Sequence, residues 1–379
     1  MSRIKLHDRI IDMFRTILIL FLLVSGLTMS FPTRANAQDS VDYTYSTGTV
    51  TGIVEQTEIN RDGEVSYIQK LEMKDDTTGS TSTTQVGNET IPLAPEQLYA
   101  VGQKIVIVKE NTSYETQANI ADQYRVPSLI GLAVGFILLV VIIARLRGLR
   151  ALIGMACSLV VLFYFMVPQI LSGSNPVLVS VIAASVIGSL IIYIGHGFSY
   201  RSHIAFFCML TTLTVVAILS SIVIQAAYLT GIGDETASFL QFPGVKPINL
   251  QGLFLGGIIL AALSVLDDSI VSQVSVIYQL KAVKPTISFR ELWERGMEVG
   301  RDHISTLVNT LILAYAGAAL PLFILLSANT SGQPAWVALN SQTLAEEIVR
   351  TLTGSIGLVL SIPLTTLVAS YVVHRKGGK

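Results

Sequence analysis

Two adjacent carboxylates, Asp267 and Asp268, interrupt a run that is otherwise apolar enough for a membrane, GLFLGGIILAALSVLDDSIVSQVSVIYQLK. Arg301, Asp302 and His303 stand where the next apolar run begins. An ionisable side chain inside a membrane helix costs about 2.5–3.5 kcal/mol on insertion scales, so it needs a partner, water or a nearby interface. Carboxylate, imidazole and guanidinium groups gathered in such a setting can pass protons or hold ions. The elements that would position them are two helices. Ser264, Asp268, Ser272 and Gln279 recur at helical spacing, which gives the first helix a polar stripe expected to face the bundle or a water-filled cavity. Asp302, Ser305 and Asn309 share a face of the second. The expectation is that the two faces meet, with Arg301 pairing with Asp267 or Asp268 and with Asp302 or His303 lining a cytoplasmic vestibule.

Composition fixes the surroundings of these groups. The 379 residues are 51% hydrophobic and only 13% charged, against roughly 25% charged in a soluble domain. From Ser128 onward apolar runs reach membrane length, which predicts seven spans at 128–144, 151–171, 176–194, 204–229, 250–279, 304–326 and 352–373. With the N-terminal segment outside, the cytoplasmic connections carry twelve Lys and Arg, from Arg145 to Lys379, and the external ones only Lys246 and Arg350. That asymmetry places the C-terminus in the cytoplasm.

Residues 1–37 read as a signal peptide: a basic start, the apolar core ILILFLLVSGL and Ala35-Asn36-Ala37 as a cleavage site. Residues 38–120 change character and read as a small extracytoplasmic β-barrel or sandwich. Strands are expected at Thr47–Glu58, Glu64–Met73 and Lys104–Lys109, with a turn at Asn60–Gly63 and a mobile loop over Asp75–Asn88. The remaining segment, 121–379, is a seven-helix membrane domain. Ahead of the sixth span, 286–300 reads as an amphipathic elbow helix with a Ser288/Glu291 capping box and an Ile287/Leu292 staple.

Other signals exclude whole classes of function. There is no P-loop, no dinucleotide fingerprint and no nucleic-acid footprint, so no cofactor is expected. Cys157 and Cys208 fall inside predicted spans without metal-ligand spacing, and His196 and His203 flank a turn without a nearby Cys or carboxylate. Gly231-Ile232-Gly233-Asp234 has the form of an intramembrane aspartyl-protease motif but falls in an external loop. Small residues four apart, such as Gly131/Gly135 and Gly252/Gly256, allow close helix packing within one chain and leave a homo-oligomer open.

The segments HGFSYRSH, GLFLGGIILAALSVLDDSIVSQ and ELWERGMEVGRDHISTLVNTLILAYAGAALP resemble the YibE/F family of bacterial multipass membrane proteins. The resemblance implies a bacterial cytoplasmic membrane and a β-rich extracytoplasmic segment ahead of the spans, and it brings no catalytic residues. Together these readings predict a permease that moves a small solute or ion across the bilayer. A non-catalytic envelope scaffold or sensor, with an extracellular ligand on its β-domain, is the alternative.

Overall fold

In the first unit, residues rich in Thr, Val and Ile form a five-stranded antiparallel sheet. The computed structural model describes residues 42–61, 63–111, 116–233, 247–328 and 334–376, with 237, 240 and 332 as isolated positions. The strands are β1 (Asp42–Arg61), β2 (Glu64–Asp75), β3 (Thr81–Val86), β4 (Lys104–Asn111) and β5 (Thr116–Gln123), in the order β3-β2-β1-β4-β5. β1 is long because it serves two partners. Its first part pairs with β4, and from Gly48 on it pairs with β2, with register shifts at Val50/Gly52 and Ile53/Glu55 that bend it between the two. The bend curls the sheet, and the two edge strands approach closely enough for the Thr84 hydroxyl to donate to Asn119 Oδ1 at 2.9 Å. Val50, Leu71, Met73, Tyr99, Ile105 and Ile107 fill the interior.

Asp75 closes one end of this core. Its carboxylate pairs with the Lys109 ammonium at 2.5 Å and accepts from Ser46 Oγ at 2.8 Å and from the amides of Thr77 and Thr78 at 2.6 and 3.1 Å. Burial alone would raise this carboxyl, but the ammonium, hydroxyl and amides together outweigh it and hold Asp75 below the usual carboxylate range. The expected loop over Asp75–Asn88 is therefore corrected in part, since Thr81–Val86 pairs with β2 as an edge strand. Threonine is polar yet β-branched, and here its backbone preference prevails.

The second compact unit begins at Ile143 and is helical, α1 (Val126–Val161) having started in the first. A π-helical turn (Leu162–Met166) and α2 (Val167–Leu171) continue α1. There follow α3 (Pro176–His196), α4 (Tyr200–Ala226), α5 (Leu250–Val283), α6 (Phe289–Ala318), α7 (Leu320–Ala328), α8 (Ala335–Leu339) and α9 (Gln342–Lys376). Side-chain caps set four of the starts: Asn175 accepts from the Val177 amide, Ser199 from that of Ser202, Asn249 from that of Gly252 and Ser288 from that of Glu291. Only half of the expected capping box at Ser288 forms, because the Glu291 carboxylate pairs instead with Lys284 and Arg295.

Among the described residues, five helical stretches are long and apolar enough to cross a membrane: Val126–Leu171, Pro176–His196, Tyr200–Ala226, Leu250–Val283 and Gln342–Arg375. The first covers two of the runs seen in the sequence, and Arg145 between them has the non-helical backbone φ 51, ψ −133. The run at 304–326 is divided: α6 ends at Ala318 and α7 starts at Leu320. Pro321 accounts for the break, since it lacks the N–H that would bond back to Gly317. The elbow helix expected over 286–300 is the first half of α6 and runs on without interruption. The expected leader over 1–37, Asp234 of the protease-like motif and Lys246 lie outside the described residues.

Candidate functional site

In lipid the hydrophobic effect does not choose which helix faces meet; close packing at small residues does. A side chain on Gly256 of α5 would collide with Ser180 of α3, and one on Gly188 of α3 with Met209 of α4 and Leu263 of α5. Side chains on Gly296 and Gly300 of α6 would meet Ile277 and Gln273 of α5 and Thr366 and Ile362 of α9. These contacts fix the rotation of α5 and hence the direction of every polar group on it.

Gln273 is the polar centre of the α5–α6–α9 contact. It is 1% exposed, and its Nε2 donates to Gly296 O at 2.8 Å and to Thr366 Oγ1 at 2.7 Å. Successive helical residues are turned by about 100°, so Asp267 points about 100° and Asp268 about 160° away from the middle of the Gln273–Ile277 face. Gly300 packs at the level of Gln273, which leaves Asp267, six residues earlier, about 9 Å farther along the axis. The structure accordingly does not bring the two charged groups together. Among the described residues, none of the ion pairs joins Arg301 to either aspartate.

The predicted residues separate into three places. Ser264, Asp268 and Ser272 form an exposed stripe on α5, where an inward-facing one was expected. Arg301, Asp302 and Asn309 are exposed on α6, and His303 is half-buried. Asp267 is half-buried, on the side of α5 that faces α3. Its Oδ1 is buried and, among the described residues, has no hydrogen-bond partner.

What Asp267 faces follows from the small-residue contacts. Gly256 meets Ser180 and Leu263 meets Gly188, so α3 and α5 run in the same direction. Asp267, four residues beyond Leu263, stands level with Ile192, four beyond Gly188. Ile192 belongs to the wall of a cavity of about 330 Å³. From α3 that wall also takes His196, from the turn Ser199, from α4 Arg201 and Ser202, and from α5 Val271, Val274 and Ser275. Val271 is one helical turn from Asp267, and Val274 shares its face.

The HGFSYRSH turn, which the sequence offers only as a polar connection, builds the mouth of this cavity. Gly197 has φ 76, Ser202 Oγ donates to Gly197 O at 2.7 Å, and Tyr193 stacks on Phe198 while its hydroxyl meets His203 Nδ1 at 2.9 Å. The Arg201 guanidinium lies over the Tyr278 ring, 4.4 Å from its centroid.

Two further polar groups are not apparent from the sequence. Glu346 is 5% exposed, and its Oε1 accepts from the amides of Gly231 and Gly233 at 3.0 and 3.2 Å and from Gln342 Nε2 at 2.8 Å. Gly231 has φ 83 and packs on the Leu250 carbonyl, so the glycines of the protease-like motif serve as a cradle for this carboxylate. On α9, Thr353, Ser361, Thr365, Thr366 and Ser370 are buried. Among the described residues, no three of His, Cys, Asp and Glu are grouped to hold a metal ion.

Long apolar helices packed through glycine contacts define an integral membrane protein, multipass and mainly helical, with an N-terminal antiparallel sheet. The family model for YibE/F-like proteins matches residues 132–375, and the chain belongs to that family. No curated protein and no solved structure matches it.

Proposed function

We propose that the chain is a permease of a bacterial cytoplasmic membrane in which Asp267 exchanges a proton or cation with solute entering from the α3–α4–α5 cavity. The observation that carries this reading is the orphaned Asp267 Oδ1, one helical turn from the cavity wall at Val271. Leaving a buried polar group unpaired costs roughly 2–7 kcal/mol, a cost relieved by a proton, water, a cation or a solute. A carboxylate that must recruit such a partner is suited to moving one. Asp302 and His303 on α6 are secondary to Asp267, and no residue is assigned a catalytic role.

The finer topology belongs to the same reading. The leader is removed after Ala37, the sheet lies outside and the C-terminus lies in the cytoplasm. Seven crossings are counted by dividing the first helical stretch at Arg145 and letting 304–326 cross as a helix interrupted at Ala319. The charge asymmetry between connections supports this arrangement.

Ion and metabolite profiling tests the function even though the solute is unidentified. Cells lacking the protein should differ from cells expressing it in at least one ion or small solute, and Asp267→Asn should match the deletion. Identical profiles with and without the protein remove the permease reading. The scaffold or sensor alternative draws on Tyr43 and Tyr45 of β1, 52% and 68% exposed, as a surface for an extracellular ligand. Deleting 38–120 separates the two, because a scaffold loses all function and a permease keeps flux.

A further inference from the structure

The geometry points to the α3–α4–α5 cavity as a binding site for a phosphate group, held by Arg201 and His196. The cavity's wall contains a guanidinium and an imidazole and no carboxylate. Arg201 is exposed and oriented by the Tyr278 ring, and none of the ion pairs among the described residues involves it. Its fork of N–H donors is therefore held in place without an anion to receive them. The hydroxyls narrow the donor set further. Ser202 donates to the Gly197 carbonyl at 2.7 Å, and Ser199 Oγ lies 2.9 Å from the Ser202 hydroxyl and accepts from the Ser202 amide. Ser275 donates to the Val271 carbonyl at 2.9 Å, so the three shape the wall and leave Arg201 and His196 to contact the ligand.

A planar guanidinium matches two oxygens of a phosphate at once. A volume of about 330 Å³ also leaves room for an organic group attached to that phosphate. Two sources present this chemistry at the end of a membrane bundle, a lipid headgroup and a free phosphate or phosphate ester. Phosphate is thereby the ligand class of the cavity on which the permease reading rests, but binding is measured without transport, so the two can fail separately.

The test uses the full-length protein in nanodiscs of pure phosphatidylcholine, titrated with inorganic phosphate and followed by microscale thermophoresis. Saturable binding is expected, weakened roughly tenfold or more in Arg201→Gln, since a hydrogen bond to a charged group contributes about 1.5–3 kcal/mol. Ser275→Phe, which fills the cavity and leaves Arg201 in place, should abolish binding as well. Arg290→Gln, on the exposed face of α6, should leave it unchanged.

A second arm replaces part of the lipid with phosphatidylglycerol. If phosphate affinity falls there, and native mass spectrometry finds the anionic lipid retained by the wild type but not by Arg201→Gln, the headgroup is the ligand. If phosphate affinity is unchanged, the ligand is a free phosphate. Absence of saturable phosphate binding together with absence of Arg201-dependent lipid retention overturns the assignment. Acetate binding as tightly as phosphate also overturns it.

Discussion

Glu346 shows how much a single carboxylate can organise near the end of a bundle. Its Oε1 satisfies two backbone amides, of Gly231 and Gly233, from more than a hundred residues away in the chain. Each amide left unpaired costs about 1–3 kcal/mol, so Glu346→Ala should lose about 2–6 kcal/mol of stability while Glu346→Gln, which keeps an acceptor, loses less. Thermal unfolding in detergent, with the two variants side by side, measures the difference. Asp75 makes the corresponding prediction for the sheet. Its native carboxyl binds a proton less tightly than the unfolded chain does. Its contribution is therefore full above the ordinary carboxylate range, about 3.9, and is lost as pH falls through the native value. Asp75→Asn should weaken hydrogen-exchange protection of β1 and β2 at neutral pH and flatten its decline in acid. A wild-type profile that stays level down to pH 3 would contradict the depressed carboxyl, because the unfolded chain already takes up the proton below about 3.9, and so would equal protection of wild type and variant at pH 7.

At the scale of elements, α6 is where packing overrules the local pattern. The run 286–300 has the residues of an interfacial helix and is legible as such. Its continuation into the next apolar run is not, because the charges at Arg301 and Asp302 look like a boundary. No proline or glycine pair follows Gly300 to end the helix, so it continues to Ala318. Its first half is fixed by Gly296 and Gly300, the latter set against Ile362 and Gln273. Ile362 is fully buried and branched at the β-carbon, so it has little freedom to move aside. Gly300→Val should cost about 1–3 kcal/mol of overpacking and lower the thermal midpoint. Gly257→Val, at a glycine of α5 with open space beside it, should not. Strand β3 is hidden for a related reason: Thr81–Val86 is polar enough to pass for a loop, and only pairing with β2 reveals the preference of its threonines for extended backbone.

For the whole molecule, the division into a β-rich segment and a helical membrane segment is plain in the sequence, because composition changes abruptly near residue 120. Individual side-chain directions inside the bundle do not follow from spacing alone. Two polar faces can be drawn on any pair of neighbouring helices, but glycine contacts decide which faces meet. Here they turn Gln273 toward α6 and α9 and leave Asp267 on the side of α3 and α4. The site thereby shifts from a charge cluster between two helices to one half-buried carboxylate beside a cavity, whose mouth is the HGFSYRSH turn. The most direct measurement is proton entry into pyranine-loaded proteoliposomes under a valinomycin-clamped potassium potential. Internal acidification is expected with the wild type, its loss with Asp267→Asn, and its retention with Asp268→Asn. Equal flux through wild type and Asp267→Asn would contradict the role given to Asp267.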